Sequence, residues 1–374
     1  AAGSGLLIGL AVAAAVAYAN ATSSAQLAAI YPEAGGTYVY GRERLGPFWG
    51  YMAGWGFVVG KTASLAAMAL TVGAYAFPGY ERAIGIGAVV IMTAVNYVGI
   101  RKTANVTTAI VTLVLAALAV VVFASLSAVT ATVANLADFT RGGLGGILEA
   151  AGLLFFAFAG YARIATLGEE VIDPSRTIPR AIPLALGITL AIYATVATSA
   201  LLAVGPDVLA ESPAPLAAAV AGGLSWATPL VRVGGTVAAV GVLLSLLAGV
   251  SRTSFAMARN QDLPTWLGAV HPIHKTPHRA EIAVGTLVIA VTAAADLRGA
   301  IGFSSFAVLT YYAIANVSAY TQPDDERRWP KSLQAFGVTG CVLLALSLPI
   351  SSVIQGAVVL AIGAAAWLTR QLKR

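Results

Sequence analysis

LLFFAFAGYARIATLGEEVIDPSRTIPR, residues 153–180, decides what kind of chain this is. An apolar segment of membrane length carries an aromatic and glycine interruption, FAFAGYAR, and then runs into two carboxylates and a loop rich in proline and arginine. A continuous spanning helix has no use for such an interruption, because each backbone group left unpaired in hydrocarbon costs several kcal/mol. The interruption is therefore expected to face a cavity. Broken helices whose free backbone groups hold a solute near the bilayer midplane are a design of secondary transporters.

Composition agrees with a membrane chain. The sequence is 58% apolar and 10% charged, with a mean hydropathy of +0.83, against roughly 25% charged residues in a soluble domain. The single cysteine, Cys341, lies in an apolar run and excludes an internal disulfide. The net charge of +6 does not point to nucleic acid, because the basic residues sit in short loops between apolar runs and form no continuous polar face.

Windows of about 20 apolar residues predict eleven spans in one polytopic unit without a soluble domain. They cover 5–30, 48–77, 83–98, 106–127, 147–167, 182–204, 234–258, 282–295, 302–319, 333–348 and 353–368. The loops alternate in charge. One set, with the C-terminus, holds 17 of the 22 Lys and Arg residues; the other holds only Arg82, Arg141, Arg232 and Arg298, and Lys61 stands alone inside a span. By the rule that basic loops stay inside, the C-terminus is expected in the cytoplasm. Eleven spans then place the N-terminus outside. Since AAGSGLLIGL has neither an initiator Met nor a charged signal region, at least one upstream span is expected to be missing.

Three motifs, YPEAGGTYVYGRERLG at 31–46, GEEVIDPSRTIPRAI at 168–182 and SRTSFAMARNQDLPTWLGAVHPIHKTP at 251–277, together with the interruption at Phe156 to Tyr161, resemble the amino acid-polyamine-organocation superfamily of permeases. The nearest branch is that of the bacterial proteins similar to cationic amino acid transporters. The resemblance covers essentially the whole chain and implies an all-α integral membrane protein with the leucine-transporter inverted-repeat fold. Residues 4–127 would be the remainder of the first repeat, 147–320 the second repeat, and 332–369 two extra C-terminal helices. Most of the first helix, which in similar transporters holds the substrate carboxylate by its main-chain N–H groups, would be absent. Without it the alternative reading is an N-terminally truncated, non-transporting paralogue or gene fragment of the same family.

The resemblance implies secondary active transport of amino acids across the bacterial plasma membrane by alternating access, as a symporter or antiporter. The partners would be a small amino acid substrate, a proton and membrane lipid; no organic cofactor and no metal are called for. The substrate amino group would be held by carbonyls at the break. On the residues themselves, Gly160 permits torsions that other residues avoid and brings the backbone close to a ligand. Phe156, Phe158 and Tyr161 supply walls and one hydroxyl, with Ala157 and Ala159 between them.

Lys61 lies about 20 Å along its span, at 1.5 Å per residue from Phe48. An ammonium at that depth is costly and faces a cavity or a partner, or else snorkels along a tilted helix. It is the candidate to carry the coupling proton or to occupy the place of a cation. Relatives carry a coupling lysine where this chain has Val114, so either Lys61 has taken over that role or transport is exchange without a coupled proton.

Ser251 and Thr253 resemble hydroxyl ligands of a sodium site, although such hydroxyls also bond their own helix. Glu169 and Glu170 are candidates to form a cytoplasmic gate with basic residues such as Arg252, or are simply solvated. Glu149, the acid nearest the outer end of the broken span, is too far from the break to favour a strictly cationic substrate, and a neutral or broad specificity is expected. His271, His274 and His278 read as loop histidines.

Overall fold

The computed structural model describes residues 2–31, 35–99, 104–137, 139–160, 171–224 and 226–372. Tyr161, Glu169 and Glu170, all expected site residues, lie outside them. The described elements are helical: α1 (Leu6–Ile30), α2 (Thr37–Leu45), α3 (Pro47–Ala76), α4 (Glu81–Val98), α5 (Ala104–Leu126), α6 (Gly143–Phe158), α7 (Pro174–Glu211), α8 (Pro215–Ala221), α9 (Ala227–Arg259), α10 (His278–Ala294), α11 (Leu297–Tyr320), α12 (Lys331–Leu346) and α13 (Ile350–Gln371).

A helix stands at the place of each predicted span. Eight of them, α1, α3, α4, α5, α7, α9, α11 and α13, are long and apolar enough to cross a membrane, and α6 and α12 are shorter apolar helices. Two departures have local causes. The fifth window, 147–167, is helical only as far as Phe158 among the described residues. The sixth, 182–204, extends at both ends: Pro174 occupies the first helical position, where its missing N–H costs nothing, and Gly205 at φ 76°, ψ 169° kinks the helix before it reaches Glu211. The short helices α2 and α8 escaped the hydropathy windows because neither approaches membrane length.

The core is built on α3, buried along most of its length and packed against α4, α9, α10, α11 and α13. Small residues let the backbones approach, as is usual between membrane helices. A Cβ at Gly60 would stand 2.8 Å from Ala307 Cβ, and one at Gly73 only 2.2 Å from the Glu81 carbonyl oxygen. A buried polar ladder ties α1 to α11 and α12: Ser23 donates to Asn316 Oδ1 (2.7 Å), Asn316 donates to Asn20 Oδ1 (2.6 Å), and Cys341 donates to the same Asn20 oxygen (3.3 Å). Satisfied hydrogen bonds of this kind select one helix register, since each lost partner leaves a polar group stranded in apolar surroundings.

The helix ends sort into two faces. On one, Arg42 pairs with Asp262, Arg44 with Glu326, Arg328 reaches the Ser175 carbonyl and Arg370 the Asp262 carbonyl. On the other, Arg141 pairs with Asp207, Arg82 reaches the Ala293 carbonyl and Arg298 the Ala210 carbonyl. These are the two loop sets separated by charge in the sequence, here joined by contacts within each set.

Candidate functional site

Helix α6 ends in the middle of the bundle. A helix C-terminus leaves carbonyls without intrahelical partners and carries the negative end of the helix dipole. Two of these carbonyls are met by side chains from other helices: Tyr193 of α7 donates its hydroxyl to Ala157 O (2.9 Å), and Lys61 of α3 donates its ammonium to Ala159 O (3.3 Å). A cation at a helix C-terminus is favourably placed, and at 6% exposure Lys61 is buried there.

Around this junction lies a cavity of about 430 Å³, within the range of small-ligand sites. Phe57, Lys61, Ser64 and Met68 line it from α3, spaced by four, three and four residues and so on one helix face. Phe156, Ala157, Ala159 and Gly160 close it from α6, Tyr193 from α7, and Val242, Leu246 and Gly249 from α9. Ser64 shares a 2.6 Å hydroxyl contact with Ser304 of α11. The wall is thus mostly apolar, with one ammonium, the carbonyls at the break and a few hydroxyls.

Most of the expected break residues meet here, with one correction. Phe158 does not line the cavity; it is buried and packs edge-on against Tyr193, ring centroids 5.4 Å apart. Gly160 does not adopt a left-handed torsion. What glycine supplies is room, since among the described residues a Cβ there would find nothing within 4 Å. Tyr193 was missed by sequence reasoning; its only signal is a phenol in an otherwise apolar run, AIYATV.

The other expected groups fall elsewhere. Thr253 donates to Gly249 O of its own helix (3.1 Å), while Ser251 stands beside Glu281 of α10, so the two hydroxyls do not converge on one site. Arg252 is exposed on α9 and acts electrostatically on Glu281; the gate expected between it and Glu169 or Glu170 lies outside the described residues. Glu149 lines a separate cavity with Arg298 and Asp296. His271, His274 and His278 gather around Tyr97, with ring centroids 5.3 to 6.0 Å from the phenol ring. No group of three or more potential metal ligands forms among the described residues.

Two of the three sequence motifs meet at a node on the basic face. Asp262 Oδ2 accepts from Tyr38 (2.7 Å) and from Arg42 (3.1 Å), while Asn260 donates to the Tyr38 oxygen (2.8 Å) and Arg370 of α13 reaches the Asp262 carbonyl. Burial, and then the hydrogen bond to Asp262, push the Tyr38 phenol up to about 12. The folded state therefore favours the neutral phenol: the resulting stability is complete below the free-tyrosine value of about 10 and is lost as pH rises from about 10 to about 12. Melting curves across that window should show Tyr38→Phe losing less stability with pH than the unsubstituted protein, by up to about 2 kcal/mol. Parallel declines would remove Tyr38 as the titrating group.

A polytopic bundle whose broken helix turns its carbonyls into a buried, mostly apolar cavity has the architecture of a multi-pass membrane transporter. The family model for amino acid permeases matches residues 1–368, and the chain belongs to that family. It is 60% identical over 373 residues to an uncharacterized transporter of Mycobacterium tuberculosis, covering 100% of this chain and 85% of that protein. It is 26% identical over 363 residues to the branched-chain amino acid permease BcaP of Bacillus subtilis, covering 90% of this chain and 77% of that one. Human cationic amino acid transporter 4 is also similar, at 26% identity over 342 residues, covering 85% of this chain and 54% of the human one.

Proposed function

We propose that this permease moves amino acids with uncharged side chains across the bacterial plasma membrane by alternating access, and that Lys61 carries the proton that drives it. The observation that carries this reading is the Lys61 ammonium on the Ala159 carbonyl at the end of α6. A substrate ammonium suits the same carbonyl, and two ammonium groups side by side in a poorly solvated cavity repel strongly. Substrate binding and protonation of Lys61 therefore compete, so the site carries one or the other, and a proton leaving a vesicle with an acidic lumen drives substrate into it.

The apolar wall of Phe57, Met68, Phe156, Val242 and Leu246 suits an aliphatic or aromatic side chain. No carboxylate lines the cavity among the described residues, so a cationic side chain would find Lys61 and no counter-charge. The Bacillus relative's name, branched-chain amino acid permease, fits this choice.

The two-repeat organisation is supported by helix pairing. Three pairings fit it, α1 on α7, α3 on α9 and α4 on α10, while α5 packs on α7 and α9. A pseudo-twofold axis in the membrane plane would pass between the three pairs. Rocking of α1, α6 and α7 against α3, α4, α9 and α10 would open the cavity to either side, with the basic face and the C-terminus in the cytoplasm.

Gly160 gives a direct test of the site. Because a Cβ there meets none of the described residues within 4 Å, Gly160→Val should leave thermal stability near that of the unsubstituted protein while raising the concentration of substrate needed for half-maximal uptake. Uptake unaffected in a well-expressed Gly160→Val protein would move the substrate away from the break.

A further inference from the structure

The permease reading makes no use of Glu281. This carboxylate sits in the first turn of α10, 3% exposed, and its Oε2 has no hydrogen-bond partner. The fully buried Ser251 hydroxyl of α9 stands beside it, short of a well-formed hydrogen bond. No ion pair within 4 Å reaches it among the described residues, and a buried carboxylate so placed is costly when charged and much less so when protonated.

We propose that Glu281 is a proton-binding site, reached from the basic face, whose occupancy sets how α9 packs on α10. Three residues earlier on the same helix face, His278 has a buried Nδ1 that also lacks a partner. Its ring packs edge-on against Tyr97, at the end of α4, and against His271.

The charged and titratable groups around the carboxyl are few. Arg252 acts on it from α9. His278 and Arg279 share its helix, and Tyr97 of α4 packs on the His278 ring. From α3, Lys61 is engaged with Ala159 O and Tyr51 stacks on Trp55. The Thr265–Gly268 turn, which also packs on α10, carries no titratable side chain.

The site has a short path to the cavity. Ser251 lies two residues beyond Gly249, which lines the cavity floor and whose carbonyl is held by Thr253. A charge appearing or vanishing beside Ser251 acts on the segment of α9 that forms that floor. This role rests on the permease reading, but the protonation itself does not.

Two measurements on the full chain in liposomes test it. Infrared difference spectra between about pH 5 and about pH 8 should contain a protonated-carboxyl band that is lost in Glu281→Gln. Exchange of labelled for unlabelled amino acid at equal pH on both sides should titrate in the unsubstituted protein; Glu281→Gln, which imitates the protonated form, should lose the limb that Glu281 contributes and keep only the dependence that Lys61 imposes. An unchanged carboxyl band in Glu281→Gln, or an exchange profile that titrates as before, overturns the proposal. If no form exchanges amino acid while the band behaves as expected, the transport reading fails and the proton site stands. A sodium-dependent shift of the band in place of a pH-dependent one would make Glu281 a metal-cation ligand and also overturn the proposal.

Discussion

Lys61→Ala should abolish accumulation of amino acid driven by a pH gradient and leave exchange at equal pH largely intact. One coupled proton across a gradient of about one pH unit sustains up to about tenfold accumulation, so the variant should fall from that ratio to simple equilibration. Removing the ammonium leaves Ala159 O without its donor, a loss of about 1 kcal/mol, too small to unfold the protein. Side-by-side uptake in proteoliposomes with and without a pH gradient checks this. A variant that still accumulates substrate in response to the gradient would remove Lys61 from the coupling path and leave it as a fixed clamp on the end of α6.

The second large effect is expected at the opposite end of the bundle. Asp262→Ala strips the Tyr38 hydroxyl and the Arg42 guanidinium of their shared acceptor at one stroke. Breaking a buried pair costs about 3–5 kcal/mol, but the Arg42 side chain is 37% exposed, and screening by water lowers the expected loss to about 2 kcal/mol. Asp262→Asn keeps one oxygen to accept from Tyr38 and should be less damaging. Thermal unfolding in detergent should therefore rank the unsubstituted protein above Asp262→Asn and Asp262→Ala lowest. Equal melting temperatures for all three would mean that the node does not hold α2, the end of α9 and α13 together.

The class of fold was legible because bilayer thickness and the cost of unpaired backbone are strict constraints that leave long apolar windows. The break was legible for the same reason: FAFAGYAR has no use in a continuous span. Lys61 stood out as a lone ammonium among apolar residues, yet its acceptor, 98 residues away, could not be read from either segment, since a backbone carbonyl has no sequence signature. Tyr193 was hidden because a phenol in a membrane helix looks the same whether it faces lipid or a broken neighbour. Glu281 lies one residue outside the predicted eighth span and reads as a solvated edge acid; only the packing of α9 on α10 reveals it as buried. Asp262 and Arg42 sat inside quoted motifs, but their pairing depends on how two loops 220 residues apart fold onto one face. Ser251 and Thr253 look like a pair in sequence, but residues two apart on a helix point about 200° apart around the axis, so their different surroundings were not legible.

The most direct test of the central claim is uptake of a panel of labelled amino acids by proteoliposomes containing the unsubstituted protein, with and without an imposed pH gradient. The account predicts accumulation of one or more amino acids with uncharged side chains, enhanced by the gradient, with lysine and arginine excluded. Uptake confined to lysine and arginine, or no movement of any amino acid by folded protein, would contradict it.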